Sequence, residues 1–188
     1  MNHRPLHRRA LLQQTGAWAV GTSGLLSPPA RATALMSPEQ AMHLLMPDAS
    51  DFAPLDVSLS MDVLGHISQL TGTRVPKSFA PRVWTATAKG QRIGWVALDR
   101  VIGKYDWIDY AAGFDTHGVT LGLEVLAYRE SHGGEIRQAQ WRGQFAGRKG
   151  PQALRWGDDI RNISGSTLSC QHVTEGMQRL SALMRLLA

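Results

Sequence analysis

The spacing of apolar and polar positions changes character twice along the chain. Ser60 precedes Met61, Leu64, Ile67 and Leu70 at helical spacing, and Gly72 ends that run. Upstream, Ser37-Pro38-Glu39-Gln40 is a helix start: serine as cap, proline at the first helical position, and glutamine placed to close a capping box. That helix is expected to run to about Met46 and stop before Pro47. From Val83 the period shortens to that of strands. Val83–Thr87 and Ile93–Leu98 flank Lys89-Gly90-Gln91 as a hairpin, Trp107–Ala111 is extended, and Asp115-Thr116-His117-Gly118 turns into a strand with Val119, Leu121, Leu123, Val125 and Ala127 on one face. After Thr167 the helical period returns, in Cys170, Val173, Met177, Leu180, Met184 and Leu187. The pattern predicts an α+β domain: an antiparallel sheet of about four strands, helices packed on one face, and an amphipathic C-terminal helix.

Charge changes this picture little. The 188 residues carry a formal net charge of +5, but Arg4, Arg8, Arg9 and Arg31 lie in a first segment without acidic residues, leaving 16 basic against 15 acidic side chains beyond it. A nearly neutral body implies no basic face, and no nucleic-acid partner is expected. The first 32 residues read as a cleavable export signal: Arg8-Arg9, a modestly apolar run to Leu26, and Ala30-Arg31-Ala32 as a cleavage site. Paired arginines resemble a twin-arginine signal, so a periplasmic location is expected, with no permanent membrane span after cleavage. The single cysteine, Cys170, sits on the apolar stripe and reads as a buried small residue. His43 and His66 read as surface or packing residues, and no metal site is expected.

Two short stretches carry candidate chemistry. Ser164-Gly165-Ser166-Thr167-Leu168-Ser169 is a small, hydroxyl-rich turn leading into the last helix, where unpaired N–H groups and the helix dipole favour an anion such as phosphate. A serine that merely caps the helix is the plain alternative. Glu130-Ser131-His132-Gly133 follows the last strand. Between them lie Trp141, Gln144, Phe145 and Gly147.

The Ser-Gly-Ser-Thr turn resembles the Ser-Gly-Ala-Thr signature of the FMN-binding domain family, which includes the C and G subunits of bacterial sodium-pumping and Rnf redox complexes. Glu130-Ser131-His132-Gly133 is similar to that family's Glu-Thr-Pro-Gly segment, and Trp141, Gln144, Phe145 and Gly147 resemble its Trp/Phe-x-x-Gln-Phe-x-Gly pattern, in the same order. The resemblance covers roughly residues 83 to 187. It divides the chain into the signal at 1–32, a helical lead-in at 33–80 and an FMN-binding domain at 81–188. It implies FMN joined to Thr167 as a phosphoester by a dedicated flavin transferase, with Ser164, Gly165, Ser166, Leu168 and Ser169 around the phosphate. Glu130, Ser131, His132 and Gly133 would lie near the flavin ring, with an aromatic wall from Trp107, Tyr110 or Trp141. Glu130 would accept from flavin N3–H, or else pair with Arg129 or Arg137.

The chain departs from the family at Ser166, where alanine is usual, at His132, where proline is usual, and at Arg161 or Asn162, where an acidic residue is common. The implied function is an extracytoplasmic electron carrier with a membrane-bound redox partner rather than a self-contained enzyme, and no catalytic residue is assigned. No Gly-x-Gly-x-x-Gly fingerprint for a nicotinamide cofactor is present. The alternatives are a flavin-dependent reductase of a small substrate and a flavin-free binding module.

Overall fold

The computed structural model describes residues 33–188, so the expected export signal lies outside the described residues. Six strands form one antiparallel sheet: β1 (Thr33–Ala34), β2 (Asp51–Leu55), β3 (Arg82–Ala88), β4 (Gln91–Ile102), β5 (Trp107–Asp115) and β6 (Thr120–Tyr128). Their order across the sheet is β1-β6-β5-β4-β3-β2, so β3 to β6 form a consecutive meander and the first two strands take the two edges. The helices are α1 (Pro38–Leu45), α2 (Met61–Thr71), the short α3 (Ala139–Arg142) and α4 (Thr167–Leu187).

The α+β class and the C-terminal helix match the expectation, and the helix signals operate as read. Ser37 accepts from the Gln40 amide while the Gln40 side chain accepts from Ser37, closing the capping box. Ser60 caps α2, and Gly72 ends it in the left-handed region.

Three features differ. The sheet has six strands rather than about four, because residues 33–80 supply edge strands as well as helices. Neither edge announces itself by alternation: β1 has two residues, and β2 buries none and contains Pro54, which an edge tolerates. The face shared by Leu123 and Val125 also does not extend to Leu121. The β5–β6 register shifts between Gly113 and Phe114, and Leu121 there is 43% exposed.

The third difference concerns the layers. α4 and α2 pack on one face with Trp95, Ala97, Val101, Ile108, Phe114 and Val125, while α1 covers the opposite face. There Ala41, Met42, Leu45 and Met46 meet Ala86, Val96, Leu98, Ala111 and Leu126. The helices therefore do not share one face. α1 joins β1 at one edge to β2 at the other, and the face it crosses is the one α4 leaves open. The cross-strand pair Gly113 and Gly122 lets it lie close, since a Cβ at either would come within 3.0 Å of Leu45. Cys170, Val173, Met177, Leu180 and Met184 are all fully buried along α4, each contributing on the order of 1–3 kcal/mol of burial. Burial also pushes the Cys170 thiol up from its ordinary pKa. That packing fixes where α4 begins, and so places Thr167.

Candidate functional site

An open cleft of about 1190 Å³ lies where the end of β6 and the following loop face the start of α4. The first wall is built on Tyr128, the last residue of β6. Its hydroxyl donates to the His132 carbonyl at 2.5 Å and stands 3.1 Å from Ser169 Oγ, which therefore donates to it. One phenol thus holds the loop to α4. Burial, followed by the nearby Glu130 and Glu135 charges, keeps Tyr128 protonated well into the basic range, against the opposing Ser169 bond and Arg137 charge. Gly133 makes the fold of this loop possible. Its φ is +83°, and a Cβ there would meet the Tyr128 hydroxyl at 2.7 Å and Ser166 at 3.3 Å.

The second wall is the turn into α4. The Ser166 amide donates to the Ile163 carbonyl, and the Cys170 amide to the Ser166 carbonyl. Ser166 is only 2% exposed, and its hydroxyl donates to Glu135 at 2.7 Å instead of capping the helix, which has no side-chain cap. That bond is the main reason the Glu135 carboxyl sits below its ordinary range. Thr167, the first residue of α4, is exposed, and Asn162 Nδ2 donates to its Oγ1 at 3.1 Å. The lead-in to this turn is pinned by its backbone. Trp141 Nε1 donates to the Arg161 carbonyl at 2.9 Å and Gln144 Oε1 accepts from the Arg161 amide at 2.8 Å, leaving the Arg161 side chain exposed.

A third segment, the β4–β5 turn, closes one rim. Gly103 donates to the Asp106 carbonyl, and Glu130 Oε1 accepts from the Tyr105 and Asp106 amides at 2.6 and 2.9 Å. Burial raises the Glu130 carboxyl, but these amides and Lys104 outweigh it and the net shift is downward. His172, in the second turn of α4, reaches the Ile102 carbonyl with Nδ1 at 2.7 Å; a carbonyl only accepts, so the proton is on Nδ1. Lys104 lies 4.8 Å above the Tyr105 ring, which is 74% exposed and faces the cleft.

The two stretches singled out in the sequence therefore meet. Glu130, Ser131, His132, Gly133, Gly165, Ser166, Thr167, Leu168 and Ser169 all line the cleft; Ser164 is exposed on the turn outside it. Two assignments are corrected. Glu130 Oε1 is spent on the 103–106 turn, and the Arg129 partner is Asp109 at 2.7 Å, so Glu130 holds a loop rather than an arginine. The aromatic wall is not Trp107, Tyr110 or Trp141. Tyr110 is fully buried and donates to Asp99, Trp141 lies behind the turn, and Trp107 is outside the lining. The aromatic surfaces in the cleft are Tyr105 and Tyr128. A sequence signal for Tyr105 existed: an aromatic between Lys104 and Asp106 in a turn has no core to enter.

Residues 103–182 match the family model of the FMN-binding domain. Over those residues the chain is similar to the FMN-binding domain. The match encloses every residue that lines the cleft, from Lys104 to Ser169. No curated protein matches the chain. FMN is the cofactor of this domain, and the cleft fits it. Its volume exceeds the roughly 300–1,000 Å³ usual for small-molecule sites, an uncapped 21-residue helix offers N–H groups to the phosphate, and an exposed tyrosine offers a flat surface to the ring. Lys104 and Arg137 are the cleft's cations. Arg161 is not among them and lines a smaller hollow of about 660 Å³ behind the turn.

Proposed function

We propose that this protein is a periplasmic electron-transfer flavoprotein that carries FMN as a phosphoester on Thr167, attached by a flavin transferase. The observation that carries this reading is the disposition of hydroxyls around the start of α4. Ser166 is bonded to Glu135 and Ser169 to Tyr128, both buried; Ser164 lies outside the cleft; Thr167 alone of the turn's hydroxyls is exposed and faces the cleft. A bulky phosphoryl donor reaches that oxygen without displacing a buried contact.

The backbone N–H groups of the first turn of α4, with Arg137 and Lys104, would hold the phosphate, and Tyr105 with the loop at 131–133 would border the ring. Bound there, the isoalloxazine ring supplies one- or two-electron transfer, and the protein sets orientation and exposure. The cleft is open, which suits exchange with a membrane-bound redox partner better than a sealed substrate chamber. Among the described residues no helix is long and apolar enough to cross a membrane. An exported carrier whose cofactor is covalently held cannot lose it where resupply is poor.

The test is intact-protein mass spectrometry of material exported from cells that co-express a flavin transferase, followed by peptide mapping of the turn. The expected gain is one FMN less one water on the Thr167 peptide. Thr167→Ala is expected to lose the adduct completely and to keep its circular dichroism and melting profile. An adduct retained by that variant places attachment elsewhere, and FMN that co-purifies but leaves on denaturation makes the protein a non-covalent flavoprotein.

A further inference from the structure

The hydroxyl of Thr167 is not simply free. Asn162 lies in the pinned lead-in, five residues earlier, and donates its Nδ2–H to Thr167 Oγ1 at 3.1 Å. Its own position is set from behind, because the neighbouring Arg161 backbone is held at both its amide and its carbonyl by Gln144 and Trp141. An exposed threonine at the start of a helix otherwise has its rotamers open to it, and each costs entropy to fix when a reaction needs one. The side chain that meets the hydroxyl is a neutral amide donor.

We propose that Asn162 is a positioning residue for flavin attachment, fixing the Thr167 hydroxyl through a hydrogen bond donated to Oγ1. The proposal rests on the attachment reading above. In the step concerned, the Thr167 Oγ1–P bond forms and a phosphoric anhydride P–O bond of the flavin donor breaks, its leaving phosphate taking the electron pair. The hydroxyl proton passes to a base of the transferase. Asn162 takes no proton. Its N–H fills one lone pair of Oγ1, steers another toward the incoming phosphorus, and strengthens as negative charge grows on the oxygen. After transfer the same N–H faces the bridging ester oxygen.

Donation distinguishes this role from proton acceptance, and the substitutions follow from that. Asn162→Ala removes the group, while Asn162→Asp keeps its shape but presents an ionised carboxylate, which only accepts. Initial rates of attachment with a purified transferase, followed by intact mass, are expected to fall about tenfold in both variants, the size of one hydrogen bond. The fall is expected in the maximal rate and not in the transferase concentration for half-maximal rate, with melting unchanged.

Threonine χ1 couplings measured by NMR in the unloaded protein give a readout independent of attachment. A single rotamer in the parent chain and averaged couplings in Asn162→Ala are expected. Averaged couplings in the parent, or an Asn162→Asp variant loaded as fast as the parent, overturn the proposal while leaving attachment at Thr167 standing. A parent chain that acquires no adduct beside an active control overturns the attachment reading and this proposal together.

Discussion

The two walls of the cleft are made of similar residues put to opposite uses. In the 128–137 wall, polar side chains are consumed by main chain: Tyr128 holds the His132 carbonyl, and Glu130 holds two amides of the 103–106 turn. In the 161–169 wall, main chain is held from behind by Trp141 and Gln144, and a hydroxyl is left facing the cleft. One wall is a scaffold and the other presents chemistry. A reactive group stays available only where its neighbours satisfy the backbone for it.

The largest effect is expected where the walls touch. Gly133→Ala puts a Cβ against the Tyr128 hydroxyl and Ser166 at a left-handed φ, and is expected to cost roughly 2–4 kcal/mol in chemical denaturation and to impair flavin loading. Unchanged stability would mean that the walls are not fastened there.

Next comes the scaffold wall itself. Glu130→Ala removes two charge-assisted bonds on a half-buried group and is expected to cost about 1 kcal/mol after solvent screening, with faster hydrogen exchange at the Tyr105 and Asp106 amides. The pH dependence has a definite sign. The folded-state carboxyl lies below its ordinary 4.5, so its contribution is present above that value and is lost as pH falls through the lowered folded value. Protection of both amides is expected to be lost in the parent chain as pH falls through the lowered folded value, and to be pH-independent in the variant.

The smallest effect sharpens the contrast. Ser166→Ala removes a hydroxyl that is turned away to Glu135 and is expected to leave melting and loading nearly unchanged. The Glu135 carboxyl, relieved of its main downward influence, is expected to titrate at higher pH in a carboxyl-directed NMR experiment. A Glu135 titration that does not move would show that Ser166 does not hold it.

Much of this was legible because its signals are local. Ser37 with Gln40, Ser60 with Gly72, the Lys89-Gly90 turn and the α4 stripe each act within a few residues. The cleft was legible because two short motifs name both of its walls. What escaped depends on partners distant in sequence. β2 is a strand because β3 has a free edge, not because Asp51–Leu55 alternates. Nothing near Glu130 in sequence points to the amides 24 and 25 residues earlier that its Oε1 accepts from, so neither the flavin ring nor Arg129 or Arg137 as its partner anticipates that bond. Aromatic rings suit flavin, which makes Trp107, Tyr110 and Trp141 natural candidates for the wall, yet the same property sends Tyr110 and Trp141 into the core.

The placement of β1 has a consequence for how the molecule assembles. β3 to β6 are joined by short connections and can zip up as successive hairpins, whereas β1 must find its partner across almost the whole intervening chain, and that partner stretch ends in Tyr128. Loop closure of that span is the slowest kind of step in such a topology. The edge beside the cleft is therefore expected to be the last part of the sheet to be completed. A chain slowed at that step would be a well-formed meander with an unfinished cofactor site, recognisable in refolding by sheet signal that recovers before flavin uptake does.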